Sequence, residues 1–506
     1  MIRKSEGDRY PMNVLFANLA GVKVDPDGKV RHFIKAGSRW PMTIGYAKSV
    51  DYYPFPFWLA YALALCKRDT AASCSGVDGV VMDLTDAEML TVVKDRAPDL
   101  LVTELAALTL ADDLKFLDAV KQATGCRILV AGNHATVAAA ALLEENDCLD
   151  FAAIGEYEMT VKELVEALLA GRDDFEAIDG LVFRRDGKAV ATPRRELLAD
   201  LDSLPFPDRE DFPATIYPDF TLYSPCINLV SSRGCPCGCV YCQERHIMYA
   251  SPRYRARDPQ KVAEEMEYCV KRFGARQFYF DDQSFVVKKA HVLGVCAAIK
   301  ARGLTVPWTV MGDAMFVDRE MLAAMADAGC IGMKFGVESA DPGILKAIGK
   351  PLDLDKCRQV VGWCRELGIR THATFCLGLP GETEATIRKS LAFMEELDAD
   401  TAQVSKAVPY PGTPMYAWAR EHGYLVAKDL TSFDGMGSCV VGYPDLPAAE
   451  IDRWYAIFSR RVAKKKLLKY MSEPGQSLSI LLEMGRRKGV ASVLKSVWTF
   501  VRRAFR

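Results

Sequence analysis

The sequence predicts an α/β protein built in two dissimilar parts. Over residues 13–155 short apolar segments alternate with helical patterns, as in a Rossmann-like, doubly wound parallel sheet. From residue 227 to residue 408 six further strand-like segments are separated by helical patterns, which predicts a partial (β/α)6 barrel of the TIM type. Between the two, Pro193, Pro205, Pro207, Pro213, Pro218 and Pro225 stand among acidic and aromatic residues, the texture of an extended connector. The expected division is a first domain over 1–195, a linker over 196–225, a barrel over 226–420 and a helical C-terminal region over 421–506.

The elements follow in order. Residues 13–19 read as the first strand, and 57–67 as a helix after a long loop. Residues 79–84 read as the second strand, with a helix over 86–94; 99–103 as the third, with a helix over 110–124. Residues 127–132 and 151–155 are the fourth and fifth strands, with a helix over 138–145 between them. Parallel sheets of this kind bind ligands at the carboxyl ends of their strands. Two turns fall there, one through Gly132, Asn133, His134, Ala135 and Thr136, the other through Gly155, Glu156, Tyr157 and Glu158. In the second part, the strand at 226–231 ends one short turn before a run of cysteines. The helix at 259–273 follows, with Val262, Met266, Cys269 and Val270 at helical spacing. Strands are then expected over 277–282, 308–313, 332–339, 370–379 and 402–408.

Length and composition suit a multi-domain enzyme: 506 residues, half of them hydrophobic, with a formal net charge of −2. This is neither a disordered chain nor a broadly nucleic-acid-binding one. Met1 to Arg9 is polar and charged without a secretory pattern, and the apolar run over 55–65 is too short to span a membrane. Most of the sixteen cysteines, such as Cys66, Cys126, Cys296, Cys330 and Cys376, stand alone in apolar segments, as core thiols of a reducing compartment do. A cytoplasmic location is expected.

Cys235, Cys239 and Cys242 break that pattern with the spacing CxxxCxxC. Three thiolates on one loop can hold three irons of a [4Fe–4S] cluster and leave the fourth open for a ligand. A zinc site completed by Cys237 or His246 is the alternative the spacing leaves open.

With Tyr241 just before the last cysteine, this run resembles the signature of the radical S-adenosylmethionine (SAM) superfamily. The resemblance implies that the open iron chelates SAM and that reduction cleaves it to a 5′-deoxyadenosyl radical. It extends to four later segments. Asp281 and Asp282 match a strand end that contacts the methionine amino group, and Glu338 with Ser339 one that contacts the ribose and carboxylate. Gly378, Pro380 and Gly381 resemble the turn that lines the adenine, and the block from Pro409 to Tyr416 is typical of cobalamin-dependent members. Relatives often carry Arg where this chain has Asp313. The N-terminal stretch resembles the cobalamin-binding domain of the same class, on the two turns at Gly132–Thr136 and Gly155–Glu158. The Asp-x-His-x-x-Gly motif that supplies a lower axial histidine is absent, and His134 reads as a helix-capping or nucleotide-tail residue before a cobalt ligand. A flavodoxin-like domain with another ligand, or none, is the alternative.

Residues 460–506 hold thirteen Lys or Arg against Glu473 and Glu483. Val490, Val493, Leu494, Val497, Trp498, Val501 and Phe505 fall on one helical face, with Lys488, Lys495 and Arg502 on another. Such a helix either lies on the inner membrane surface or packs on the barrel with its charges solvated. Nucleic acid is not expected as a partner.

The expected protein is a cobalamin-dependent radical SAM enzyme with a [4Fe–4S] cluster. The resemblance implies a C-methyltransferase acting on an unactivated carbon of a lipid or natural-product intermediate. It implies an external electron donor of flavodoxin or ferredoxin type. A cyclase or rearrangement enzyme with the same cofactors, and a non-catalytic Fe–S or cobalamin carrier, are the alternatives. A transfer-RNA methylthiotransferase is set aside, because Cys66, Cys74, Cys126 and Cys148 lack the grouping of a second cluster. No side chain is assigned as a catalytic acid, base or nucleophile.

Overall fold

The computed structural model describes residues 12–25, 27–35, 42–45, 53–217, 223–472 and the isolated positions 475, 478, 482, 485 and 498. The chain divides into two compact units, 1–217 with 246–250, and 218–245 with 251–506.

In the first unit β1 (Asn13–Asn18) is apolar on both faces and almost wholly buried, which places it inside a sheet. Next come β2 (Val22–Val24), β3 (Val30–Ile34) and β4 (Met42–Gly45), a small antiparallel sheet of their own. The alternation continues through α1 (Phe57–Asp69), β5 (Ser73–Asp78), α2 (Asp86–Arg96), β6 (Leu100–Glu104) and α3 (Leu110–Thr124). It ends with β7 (Arg127–Ala131), α4 (Gly132–Glu145), β8 (Phe151–Ala153) and α5 (Glu158–Leu169), then the hairpin β9 (Leu181–Arg185) and β10 (Lys188–Ala191). The sheet order is β10-β9-β8-β7-β6-β1-β5, parallel from β8 to β5. The chain leaves β1 for one edge and returns to its other side with β6, so the order reverses there and a crevice opens at the carboxyl ends. Leu15, Leu101, Ile128 and Val130 of the sheet pack with Met89, Phe116, Leu117 and Leu143 of the helices in one core.

Two expectations are corrected here. The second strand is Ser73–Asp78, not 79–84. The Asp78 carboxylate accepts from the Val80 and Val81 amides at 2.9 and 3.1 Å, and the Leu84 amide returns to the Gly79 carbonyl at 2.9 Å, so the apolar stretch folds into a turn. The helix expected over 138–145 starts at Gly132, with a kink at Ala138.

Residues 196–217 of the expected linker fold onto the first unit: the Tyr217 hydroxyl donates to Asp78 at 2.8 Å, and Lys67 bonds Asp208 and Asp211 at 2.7 Å each. Segment 246–250 belongs to the same unit, where Arg194 donates to the Ile247 and Met248 carbonyls at 2.6 and 2.8 Å.

The second unit opens with β11 (Cys226–Leu229), and a two-residue ribbon, β12 (Ser232–Arg233) with β13 (Arg255–Ala256), flanks the cysteine run. Strand and helix then alternate: α6 (Pro259–Phe273), β14 (Gln277–Phe280), α7 (Lys289–Ala301), β15 (Trp308–Gly312), α8 (Arg319–Asp327), β16 (Cys330–Glu338), α9 (Pro342–Ala347) and α10 (Leu354–Glu366). β17 (Arg370–Leu377), α11 (Glu384–Glu396), β18 (Thr401–Lys406) and α12 (Pro414–Glu421) follow, and α13 (Ala448–Ser472) closes the described chain. The strands order as β11-β14-β15-β16-β17-β18, each parallel to the next, the sequence of a barrel left open between β11 and β18. Part of the basic tail has structural work: Lys465 of α13 donates to the carbonyls of Met394 and Leu397, which caps the C-terminus of α11. The amphipathic face expected over 490–505 lies outside the described residues except for Trp498, which is exposed. Among the described residues no helix is long and apolar enough to cross a membrane.

Candidate cofactor sites

In the second unit the cysteine loop leaves β12 through Gly234, whose φ is 90°. A β-carbon there would lie 2.2 Å from the Arg253 carbonyl oxygen, so only glycine makes this turn. The loop is then pinned by backbone bonds from Val240 to Ile348 at 3.0 Å and from Met415 to Val240 at 3.1 Å, and the Cys242 amide turns back to Cys239 at 3.1 Å. Tyr241 packs on the apolar patch of Ile344, Leu345, Leu379 and Met415.

Cys235, Cys239 and Cys242 are partly exposed, whereas every other cysteine except Cys74 is buried. A thiol that is to meet a ligand cannot be sealed in a core. Among the described residues no three His, Cys, Asp or Glu side chains enclose a single-ion position. The three thiols act on one another electrostatically instead. Burial pushes Cys239 up to about 11, with Cys235 adding and the Lys350 ammonium opposing. Burial also raises Cys242, with contributions from Cys239 and Cys235. Cys235 is lowered, first by a hydrogen bond from Cys237 and also by Lys350. Cys237 is thus a buried thiol bonded to a loop cysteine. This donor set fits a cluster: three thiols on one loop, with a buried cation to offset the charge that their ionisation creates.

Lys350 is the main residue that sequence reasoning missed. It is buried, and its Nζ lies 3.0 Å from Asp313. Burial works against its charge, but Asp313, Glu338 and Cys239 more than compensate and raise its pKa. Glu338 ends β16 at a register shift against β17, with φ of 67°, a strained conformation for a side chain of this size. A β-carbon on Gly336 would overlap the Glu338 carboxylate, so the bare glycine backbone leaves that carboxylate its room. Burial raises the Glu338 pKa, with Lys350 opposing.

The other expected SAM residues separate into two groups. Gly378 and Gly381 have φ of 83° and 80°, leaving bare backbone at the turn with Pro380 between them. That turn is held from both sides, since Glu382 accepts from the Gly378 and Leu379 amides at 2.5 and 3.3 Å while Tyr443 donates to the Gly378 carbonyl at 2.6 Å. Asp281 is buried at the end of β14, its amide bonded to Leu229 at 2.8 Å. Asp282 and Ser339 bond to neighbouring protein groups. Asp282 is fully buried and accepts from the Ser231 amide at 3.2 Å, the Ser231 hydroxyl at 2.9 Å and the Ser232 hydroxyl. The Ser339 hydroxyl is taken by the Asp341 amide at 3.2 Å and by Ser390 at 3.3 Å. Both side chains hold the local backbone.

In the first unit the two predicted turns meet at the carboxyl ends of the adjacent strands β7 and β8. The Thr136 hydroxyl donates to the Gly132 carbonyl at 2.7 Å and accepts from the Gly155 amide at 3.0 Å. Gly132 and Gly155 have φ of 92° and 70°. His134, in the first turn of α4, is partly exposed, and burial lowers its pKa, so it is neutral near pH 7. Asn133 and Tyr157 are buried, and Ala135 belongs to the core. Glu156 accepts from the Leu198 amide at 3.1 Å, and Glu156 and Glu158 line a cavity of about 310 Å³ with Arg195, Glu196 and Leu204. Both glycines stand at the carboxyl ends of adjacent parallel strands, where such sheets bind ligands, and the space a β-carbon on Gly155 would need is taken by the Arg194 guanidinium and the Met248 carbonyl.

Residues 229–394 match the Radical SAM superfamily, a span that holds all three loop cysteines, Glu338, Lys350 and the Gly378 turn. The chain is 28% identical over 379 residues to an uncharacterized methyltransferase of Pyrococcus horikoshii, covering 75% of this chain and 81% of that relative. It is 25% identical over 371 residues to the anaerobic magnesium-protoporphyrin IX monomethyl ester cyclase of Rubrivivax gelatinosus, covering 71% of this chain and 65% of the cyclase. The solved structure of the radical S-adenosylmethionine methyltransferase TsrM from Kitasatospora setae, with cobalamin and a [4Fe–4S] cluster bound, matches with a TM-score of 0.63 at 18% identity. That match covers 88% of this chain and 82% of TsrM.

Proposed function

From a chain that belongs to the radical SAM superfamily and has the fold of its cobalamin-dependent members, we propose a C-methyltransferase acting on an unactivated carbon of a lipid or natural-product intermediate. The observation that carries this reading is the partly exposed three-thiol loop beside a buried Lys350, in a chain whose other unit has paired glycine turns at the carboxyl ends of adjacent strands. The methyltransferase relative supports the choice of methyl transfer.

When bound, the cluster supplies the electron that opens SAM, and cobalamin carries the methyl group. The chain's own residues do the rest. Cys235, Cys239 and Cys242 hold three irons, and Lys350 balances their charge. Asp281 would receive the methionine ammonium of SAM, and Glu338 a ribose hydroxyl. The bare backbone of Gly378 and Gly381 lies against the adenine, with Pro380 fixing the turn. In the first unit Gly132 and Gly155 receive cobalamin, with Asn133, His134, Ala135, Thr136, Glu156, Tyr157 and Glu158 shaping the turns around it. Electrons come from a flavodoxin or ferredoxin type donor. The site of action is the cytoplasm, and the basic C-terminal segment brings the enzyme to the inner membrane surface when the substrate is a lipid.

The cyclase relative favours a second reading, ring closure without methyl transfer. Anaerobic turnover of the reconstituted enzyme on fractionated cell extracts with methyl-labelled SAM separates the two. Label in a carbon-bound methyl of the product supports methyl transfer. A product of altered mass without label supports cyclisation, and SAM left intact under strong reductant refutes both.

A further inference from the structure

The stem of the cysteine loop is held by a set of buried side chains that carry no iron. Ser231 and Ser232 stand four and three residues before Cys235, and both are at most 1% exposed. The Asp282 carboxylate gathers three donors from them, the number an ionised carboxylate takes readily. The Ser231 oxygen also lies 3.0 Å from His291 Nε2. With its proton given to Asp282, that hydroxyl receives the Nε2–H of His291, so every proton on the path has one acceptor. Burial holds His291 down to about 4, so it takes this place as the neutral ring. One residue further, Gln283 Oε1 accepts from the Gly234 amide at 3.0 Å, at the turn that launches the loop. The backbone of Ser231 is fixed as well, its carbonyl accepting from Arg257 at 2.9 Å.

We infer that Asp282, acting through Ser231 and Ser232, is a positioning brace that presets the cysteine loop for cluster capture and retention, while Gln283 separately holds the Gly234 turn. Three thiolates must meet three corners of one cube at the same time. A stem already ordered by protein groups spares that ordering cost when iron and sulfide bind. The neighbouring acids thereby divide their roles: Asp281 stays at the strand end, and Asp282 turns inward to the loop. This inference rests on the reading that Cys235, Cys239 and Cys242 hold the cluster.

The test compares wild type with Ser232→Ala and Asp282→Asn, each reconstituted anaerobically and then exposed to a strong iron chelator. The readouts are the bleaching rate of cluster absorbance and the melting midpoint of the iron-free proteins. Losing a hydrogen bond to a charged group predicts bleaching about tenfold to a hundredfold faster in Asp282→Asn. Ser232→Ala, the milder change, is expected to bleach several-fold faster with nearly unchanged melting, and decides the question if Asp282→Asn does not fold. Bleaching within about twofold of wild type in folded variants, even with lowered melting, overturns the brace and leaves Asp282 a scaffold residue. Failure of wild type itself to take up iron refutes the cluster reading and this inference with it.

Discussion

Glu382 offers a sharp test of how the Gly378 turn is built. Its side chain is 3% exposed and sits in the bend of Gly378, Leu379, Pro380 and Gly381. Burial pushes its carboxyl up to about 8, against the pull of the two amides it accepts from. Raising a carboxyl from 4.5 to about 8 corresponds to roughly 5 kcal/mol of differential stability. The sign follows from the raised value: the folded chain holds the proton longer than the unfolded one. The stability is therefore fully present below 4.5 and lost as pH rises through about 8. Glu382→Gln keeps an acceptor for the Gly378 and Leu379 amides and removes the titration. Melting of the iron-free wild type and variant is followed from below 4.5 to above 8. The difference between the two curves cancels the other titrating groups. Wild type should fall relative to the variant by about 10 °C or more across this span, at about 2–4 °C per kcal/mol for a unit of this size. A flat difference would refute the buried, protonated carboxyl and the account of the turn that depends on it.

Lys350→Met should destabilise the iron-free protein by about 3–5 kcal/mol, because it strands Asp313 without its buried partner. Adding Asp313→Asn should recover at least half of that loss in denaturant titrations, and strict additivity would show that the pair is not coupled. Gly234→Ala forces a β-carbon to 2.2 Å from the Arg253 carbonyl at a φ of 90°, so it should cost at least about 1–3 kcal/mol and lower iron retention on desalting. Thr136→Val removes the hydroxyl joining the two glycine turns at similar volume, and titration should show cobalamin binding weakened about fivefold to a hundredfold. Unchanged affinity would place the cofactor elsewhere.

Most barrel strands were legible in the sequence because they are apolar runs buried on at least one face and closed by punctuating residues. Phe278, Phe280, Val310, Phe335 and Phe375 are all fully buried. The exception in the first unit has a physical cause. β5 is Ser-Cys-Ser-Gly-Val-Asp at a sheet edge, so it lacks the apolar run, and the more hydrophobic residues after it are bent into a turn by Asp78. The loop cysteines and the glycine turns were legible because spacing and glycine carry their signal locally. The roles of side chains were not. Asp281 and Asp282 look alike in the sequence, and only the fold turns Asp282 toward the two serines that precede the cysteine loop. Lys350 stands twelve residues beyond Glu338 with no motif around it, and only three-dimensional proximity joins it to Asp313 and Cys239. Ser339 resembles a SAM-contacting position in the sequence, and the fold adds hydrogen bonds of its hydroxyl to Asp341 and Ser390.

Iron, sulfide and cobalamin content of anaerobically reconstituted protein tests the central claim most directly, with the Cys235→Ala, Cys239→Ala, Cys242→Ala triple variant as control. The account predicts about four irons and one tightly held cobalamin per wild-type chain. It also predicts loss of cluster absorbance, with cobalamin retained, in the triple variant. Cluster absorbance that survives in the triple variant, or iron without cobalamin in the wild type, would contradict it.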